Sequence, residues 1–329
     1  MTRTLILVFC ILTSCNNSPE NYLVTNIGKA QGTYYNIKYV SSHNVDYQNQ
    51  IDSVLNKIDN SLSIYDSTSL ISQLNKYKHV FADKYLIDVY NVANEVFLQT
   101  DGYFDCTTYP IINEWGFYKN KKSQFIDSLK IFKLLSHVGF NKVKLDSNRI
   151  SLPDKYSIDF NALAQGYTVD VIGQFLSSKN INDYLIELGG ELLARGKNIN
   201  SKNWIVGVEK PNEKIDLNDR FQFIVSLENK SLATSGNYRN YVIKDSVKYS
   251  HIINPKTGFP SLNSLLSVTV VHENCVYADA YATSFMIIGL EKTLDFISDR
   301  DDIDVFLIYT NGSKIETYSS TDFKNFILN

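Results

Sequence analysis

The sequence predicts an α+β fold, and three observations carry that reading. Segments with helical spacing and short β-rich runs are interleaved along the chain, without the regular strand–helix–strand rhythm of a doubly wound sheet. Hydrophobic residues make up 44% and charged residues 20% of the 329 residues, ordinary values for a folded chain and wrong for a disordered, collagenous or polytopic membrane protein. Neither GxGxxG nor GxxxxGK[ST] occurs, so neither a Rossmann dinucleotide site nor a P-loop is supported. At about 150 residues per domain, the length suits one large domain or two ordinary ones.

Residues 1–14 read as a signal segment rather than as part of the fold. Thr2 and Arg3 give a short positive start, and residues 5–12 are unbroken apolar. A membrane-spanning helix needs about 20 such residues, so this run is a signal core. Leu12-Thr13-Ser14-Cys15 then resembles the bacterial lipoprotein cleavage box, in which the cysteine is acylated and becomes the first mature residue. An ordinary secretory signal, with Cys15 incidental, is the alternative. Residues 15–24, polar through Asn16, Asn17, Ser18 and Glu20, read as a tether, and 25–329 as the folded domain. The expectation is an exported protein, lipid-anchored to a bacterial membrane and facing the periplasm.

Lys+Arg is 32 and Asp+Glu is 35, a net charge of −3. Removing 1–14 takes away Arg3 alone, leaving 31 against 35, or −4. There is no basic excess to suggest a nucleic-acid partner. Beyond Cys10 and Cys15, Cys106 and Cys275 remain, with no CxxC spacing. Two separate buried thiols and one disulfide in an oxidising compartment are both open.

The elements follow in order. A strand is expected over 32–40, rich in Tyr and Ile. Ile51, Val54, Leu55, Ile58 and Leu62 recur at helical spacing, as do Leu86, Val89, Tyr90, Ala93, Val96 and Phe97, and Asp101-Gly102 stops the second helix. A third helix is expected over 124–137. Strands are expected at 142–145, 184–188, 204–209 and 221–227, with a helix over 164–178. A strand at 265–271, a helix at 277–288 and a strand at 304–309 complete the series.

Four stretches carry chemistry. Residues 100–107, with Pro110 and Trp115-Gly116-Phe117 after them, are dense in turn residues, aromatics and carboxylates, which suits a planar ligand or simply a turn. Residues 159–167 run from a strand end into a helix start, whose free N–H groups suit phosphate; Asp159 or Asn161 as an N-cap is the plainer reading. Glu187-Leu188-Gly189-Gly190-Glu191 offers positive φ or close ligand approach, or a tight hairpin. Ser235-Gly236-Asn237-Tyr238-Arg239 leads to His251-Ile252-Ile253-Asn254 and on to Ala278-Asp279-Ala280-Tyr281-Ala282-Thr283. Asp279 and Thr283 are i and i+4, so their oxygens share a helix face. Together with substrate phosphates they form a plausible site for Mg²⁺, which prefers oxygen donors. A capping Asp and a Thr bonded back to a carbonyl are the alternative.

Taken together, these stretches resemble the ApbE family, the FAD:protein FMN transferases. In order, the sequence shows GT-Y-I-Y from Gly32, SIYDSTSLISQLN at 63–75, DGYFD-T--P----WGF at 101–117 and D--A-AQGY-VD at 159–170. LIELGGE at 185–191, ATSGNYRNY at 233–241, HIINPKTGFP at 251–260 and ADAYAT at 278–283 complete the match. The resemblance implies a two-lobed, T-fold-like α+β architecture with FAD as substrate in the cleft between lobes. It implies Mg²⁺-dependent transfer of FMN from FAD to a Thr or Ser hydroxyl of a partner flavoprotein, such as a redox-complex subunit, with release of AMP. Some members instead, or also, hydrolyse FAD to FMN and AMP. A non-catalytic FAD-binding lipoprotein is the reading from another class.

The resemblance also carries residues over. Asp279, Thr283 and the Ala162 carbonyl match the metal ligands. Gln31, Tyr65, Phe104, Asp105, Asp159, Gln165 and Ile253 match FAD-contacting positions, and His251 is the base candidate, since a neutral imidazole can take a hydroxyl proton. The sequence departs from the family pattern at Gln31, where Met is common, and at Gln165, where Lys is frequent. Asn254 stands for the usual Asp and Cys106 for a frequent Pro. The lost Lys and Asp alter local charge, which bears on the balance between transfer and hydrolysis.

Overall fold

The computed structural model describes residues 21–118, 126–211, 220–237, 241–244 and 247–328. The segment read as signal peptide and lipid anchor, Cys15 included, lies outside the described residues, as do Tyr238 and Arg239. The described helices are α1 (Gln48–Leu62), α2 (Leu70–Tyr77), α3 (Lys84–Gln99), α4 (Tyr109–Trp115), α5 (Ser128–Leu135), α6 (Asn161–Ser178), α7 (Cys275–Ile288) and α8 (Leu290–Ile297).

An eight-stranded antiparallel sheet forms the backbone of the molecule. Its order is Tyr22–Ala30, Thr33–Ser41, Tyr184–Leu188, Glu191–Arg195, Lys230–Gly236, Leu265–His272, Asp304–Asn311 and Lys314–Ser319. One face carries α6 and α7, side by side over its centre. The other carries a small sheet of Ile327–Leu328, Phe221–Leu227 and Trp204–Glu209. Burial on both faces explains the continuous apolar runs of the central strands. In Asp304–Asn311, Val305 and Leu307 pack toward the helices, while Phe306 and Ile308 join Trp204, Leu227 and Phe323 behind the sheet. The second lobe comprises α1 to α5 and a small sheet of His79–Phe81, Arg149–Ser151 and Lys144–Asp146. This is the expected α+β architecture. Cys106 and Cys275 are both buried free thiols.

Where boundaries move, side chains from elsewhere supply the reason. Periodicity begins the helix before Thr283 at residue 277, but α7 begins at Cys275. Asp170 of α6 accepts the Cys275 and Val276 N–H groups, each at 2.9 Å, and so caps the first turn from across the interface. Helix α6 starts at Asn161 rather than 164, because Asp159 Oδ1 takes the Asn161 N–H at 2.7 Å and the Phe160 carbonyl takes that of Ala164 at 2.9 Å. The strand Tyr22–Ala30 lies outside the expected elements, and its first three residues fall in the stretch read as a tether. It forms by pairing residue for residue with Thr33–Ser41 across a tight turn at Gln31 and Gly32, both at positive φ. Helix α3 does end where expected, with Asp101 and Gly102 at φ +50° and +70°.

Candidate active site

Between the helical lobe and the α6–α7 face lies a cleft of about 830 Å³. Every described residue assigned to the site from sequence lines it: Gln31, Tyr65, Phe104, Asp105, Asp159, Ala162, Gln165, His251, Ile253, Asp279 and Thr283. They come from segments up to 252 positions apart, Gln31 to Thr283, and only the fold brings them together.

The deep end is built on a close helix contact. A Cβ at Gly166 would stand 2.4 Å from the Cys275 carbonyl oxygen and 2.8 Å from Asp279 Cβ, so glycine is required where α6 meets α7. The approach puts the Gly166 N–H on Asp279 Oδ2 at 3.0 Å. In a regular helix that N–H serves the carbonyl four residues back, which here is Ala162. The Asp279 carboxylate therefore competes with the Ala162 carbonyl for that donor. Thr283 follows one turn along α7, its Oγ1 3.2 Å from Ser235 Oγ. The N-cap of α7 is Asn274, not Asp279, so the capping alternative for Asp279 falls away. Burial, and then the nearby charge of Glu191, pushes the Asp279 carboxyl well above the usual range, with the Gly166 N–H opposing the shift. Glu191 is itself pushed up to about 7, chiefly by burial.

Aromatic side chains dominate the mouth. Tyr65 and Tyr118 meet edge to face with ring centroids 6.2 Å apart, Tyr109 lies 5.4 Å from Tyr118, and the His251 ring stands 6.2 Å from Phe117. Carboxylates here already hold the protein's own groups. Asp159 takes the Asn161 N–H and a Tyr118 hydroxyl bond, while burial lifts its pKa to about 6. Asp105 Oδ1 accepts the Thr107 N–H and hydroxyl at 2.8 and 2.5 Å, and its Oδ2 accepts the Phe140 N–H at 3.1 Å. Asp105 therefore shapes the loop that presents buried Phe104. Gln31 is held in its turn by Nε2 donating to Thr168 Oγ1 at 2.7 Å. Gln165 lies against the Gly189 backbone, where a Cβ would meet its Nε2 at 2.9 Å. Ile253 is buried beside Trp115, whose Nε1 donates to the Gly258 carbonyl at 2.9 Å.

Glu191, Ser235 and Tyr118 also line the cleft and were not singled out from sequence as site residues. Glu191 sits in the motif whose two glycines form a hairpin turn, with Leu188 paired to Glu191. The available signal was a carboxylate in an otherwise apolar strand, Glu-Leu-Leu-Ala. The described lining includes Asp59, Asp105, Asp159, Glu191 and Asp279 but no Lys or Arg. Lys256 stands just outside, 5.4 Å from the Tyr103 ring.

Buried carboxylates, hydroxyls and an imidazole around one large cavity define an α+β protein with an enzyme-type site. The model of the ApbE family matches residues 31–307, and the chain belongs to that family. An FAD:protein FMN transferase from Vibrio cholerae serotype O1 is 30% identical over 331 residues, covering 96% of each chain. One from Buchnera aphidicola subsp. Schizaphis graminum is 32% identical, covering 98% of this chain and 96% of its own. Among solved structures, the flavin transferase ApbE from Vibrio cholerae has a TM-score of 0.83 at 29% identity, covering 93% of this chain and all of that one. The apo flavinyl transferase ApbE of Pseudomonas stutzeri has a TM-score of 0.83 at 27% identity, covering 93% of this chain and 97% of its own.

Proposed function

We propose that this protein transfers FMN from FAD to a Thr or Ser hydroxyl of an acceptor flavoprotein, a redox-complex subunit being the expected class, and releases AMP. The observation that carries the reading is the meeting of Asp279, Thr283 and Ala162 with His251 in one cleft of an ApbE-family chain. Asp279, Thr283 and the Ala162 carbonyl are the groups that would hold Mg²⁺. Their fit is supported by a donor set made wholly of oxygen, by a lining without Lys or Arg among described residues, and by a buried Glu191 Oε2 that has no hydrogen-bond partner. When bound, the cation neutralises diphosphate charge and eases departure of AMP. The aromatic mouth holds the flavin ring, with Tyr65 at its edge. His251 accepts the acceptor hydroxyl proton as the new O–P bond forms and the P–O–P bond breaks, leaving the electron pair on AMP.

Water in place of the acceptor hydroxyl gives FMN and AMP from the same site. Intact-mass spectrometry separates the two reactions. Incubation with FAD, Mg²⁺ and a Thr-bearing flavoprotein should add one FMN to the acceptor. AMP release with no mass gain would mean hydrolysis, and neither product would mean that FAD is merely bound.

The proposal includes an exported, lipid-anchored protein. Its support is the Cys15 motif, and among the described residues no helix is long and apolar enough to cross a membrane. Cys15→Ala should move the protein from the salt-washed membrane fraction to the soluble one. A mutant that still pellets would rule out the anchor.

A further inference from the structure

Glu191 follows the two-glycine turn that joins Tyr184–Leu188 to Glu191–Arg195, with Gly189 and Gly190 at φ +67° and +119°. That turn brings the chain back against α6 and delivers the carboxylate to the lining of the cleft, within reach of the charge of Asp279. Glu191 is only 8% exposed. Its Oε2 is, among the described residues, the one buried carboxylate oxygen without a hydrogen-bond partner.

The other buried carboxylates show what a settled one looks like. Asp170 accepts two backbone N–H groups at 2.9 Å. Asp159 holds Asn161 and Tyr118. Asp279 has the Gly166 N–H. Glu191 has only its own backbone N–H, its Oε2 is left without a partner, and it shares with the carboxylate of Asp279 a cavity without a described Lys or Arg in its lining. Burying a charge without a partner is costly, and placing it beside a like charge costs more. A cation between the two removes both costs at once.

We infer that Glu191 is a second carboxylate of the cation site, held with Asp279 for the same divalent ion. This rests on the reading of Asp279, Thr283 and Ala162 as the cation's ligands, and it doubles the protein's charge at the site. The site then has affinity for the cation before FAD arrives, and the nucleotide enters a cleft already partly neutralised. The groups assigned to the ion, two carboxylates, a hydroxyl and a carbonyl, are all oxygen donors, and burial holds the nearby Cys275 thiol protonated, so the set suits Mg²⁺ or Mn²⁺ rather than a thiolate-seeking ion.

Mn²⁺ titration of the full chain without FAD, followed by loss of the free-ion EPR signal, tests the inference. Glu191→Gln keeps the shape and removes the charge. Its Kd for Mn²⁺ should rise about ten- to a hundredfold, the usual scale for a group that supports a metal ligand set. Melting curves provide a second readout. Without a divalent ion Glu191→Gln should melt above wild type, because one of two like charges is gone, and added Mg²⁺ should raise its Tm less than it raises that of wild type. A Kd equal to that of wild type, or a Tm difference that Mg²⁺ leaves unchanged, would overturn the inference and make Glu191 a structural residue. Asp279→Asn separates the two levels. If Asp279→Asn loses Mn²⁺ while Glu191→Gln keeps it, this inference fails and the proposed cation site stands. If wild type binds no Mn²⁺, both fall.

Discussion

At the deep end of the cleft, α6 and α7 press together until only a glycine fits between them, and two carboxylates are buried with one backbone donor each, the Gly166 N–H on Asp279 and its own N–H on Glu191, whose Oε2 stays without a partner. At the mouth, half-buried Asp105 and buried Asp159 spend their oxygens on Thr107, Phe140, Asn161 and Tyr118. The mouth is finished without a ligand, while the deep end is not. A region whose polar groups are satisfied internally can serve as a rigid platform for a flat ring. A region with charge left over is a place for an ion and for the chemistry an ion supports. This contrast predicts that substitutions at the deep end strike the reaction, and those at the mouth strike binding.

The strongest test of the contrast is Asp279→Asn. Size and shape are kept and the charge is lost, so AMP release should fall about 10³-fold or more, the scale of several kcal/mol of lost charge stabilisation. High Mg²⁺ should restore part of the rate. Curves of AMP release against Mg²⁺ that overlap those of wild type would remove the cation from this helix. Next comes His251→Ala, the one mouth residue assigned to the chemistry, beside Phe117. Loss of a general base should slow transfer by about 10²–10⁴-fold while FAD affinity holds. An unchanged rate at saturating acceptor would take His251 out of the mechanism.

Gly166→Ala tests the architecture beneath the deep end. The new Cβ meets backbone at 2.4 Å, so the helices must part. Denaturant melts should show a loss of about 1–3 kcal/mol, typical of overpacking, together with weakened Mg²⁺ dependence of the reaction. Wild-type stability in this variant would mean that the contact is looser than described. The smallest effect is expected at Tyr65→Ala, on a side chain 54% exposed. Loss of one aromatic edge should cost about 1 kcal/mol, roughly fivefold in KM for FAD, with kcat nearly unchanged. A larger effect on kcat than on KM would erase the division between mouth and deep end.

The elements with strong internal periodicity were legible in the sequence alone. The strands Tyr184–Leu188, Trp204–Glu209 and Phe221–Leu227 form over the residues their pattern marks, because alternation or a β-rich run bounded by turn residues is local information. The mixed α+β class and the motifs that place this chain in the ApbE family were legible for the same reason: each is a short stretch with its own character. What the sequence could not express is any property that depends on a distant partner. The start of α7 is set by Asp170, 105 positions away, and the need for glycine at 166 by the carbonyl of Cys275. The edge strand Tyr22–Ala30 carries the strand-favouring Tyr22, Val24, Thr25 and Ile27, but its extent is fixed by the full ladder that Thr33–Ser41 offers it. Glu191 looked like the end of a turn until the hairpin carried it within reach of the charge of Asp279, since the cost of a buried charge depends on what surrounds it, and only the tertiary fold decides that.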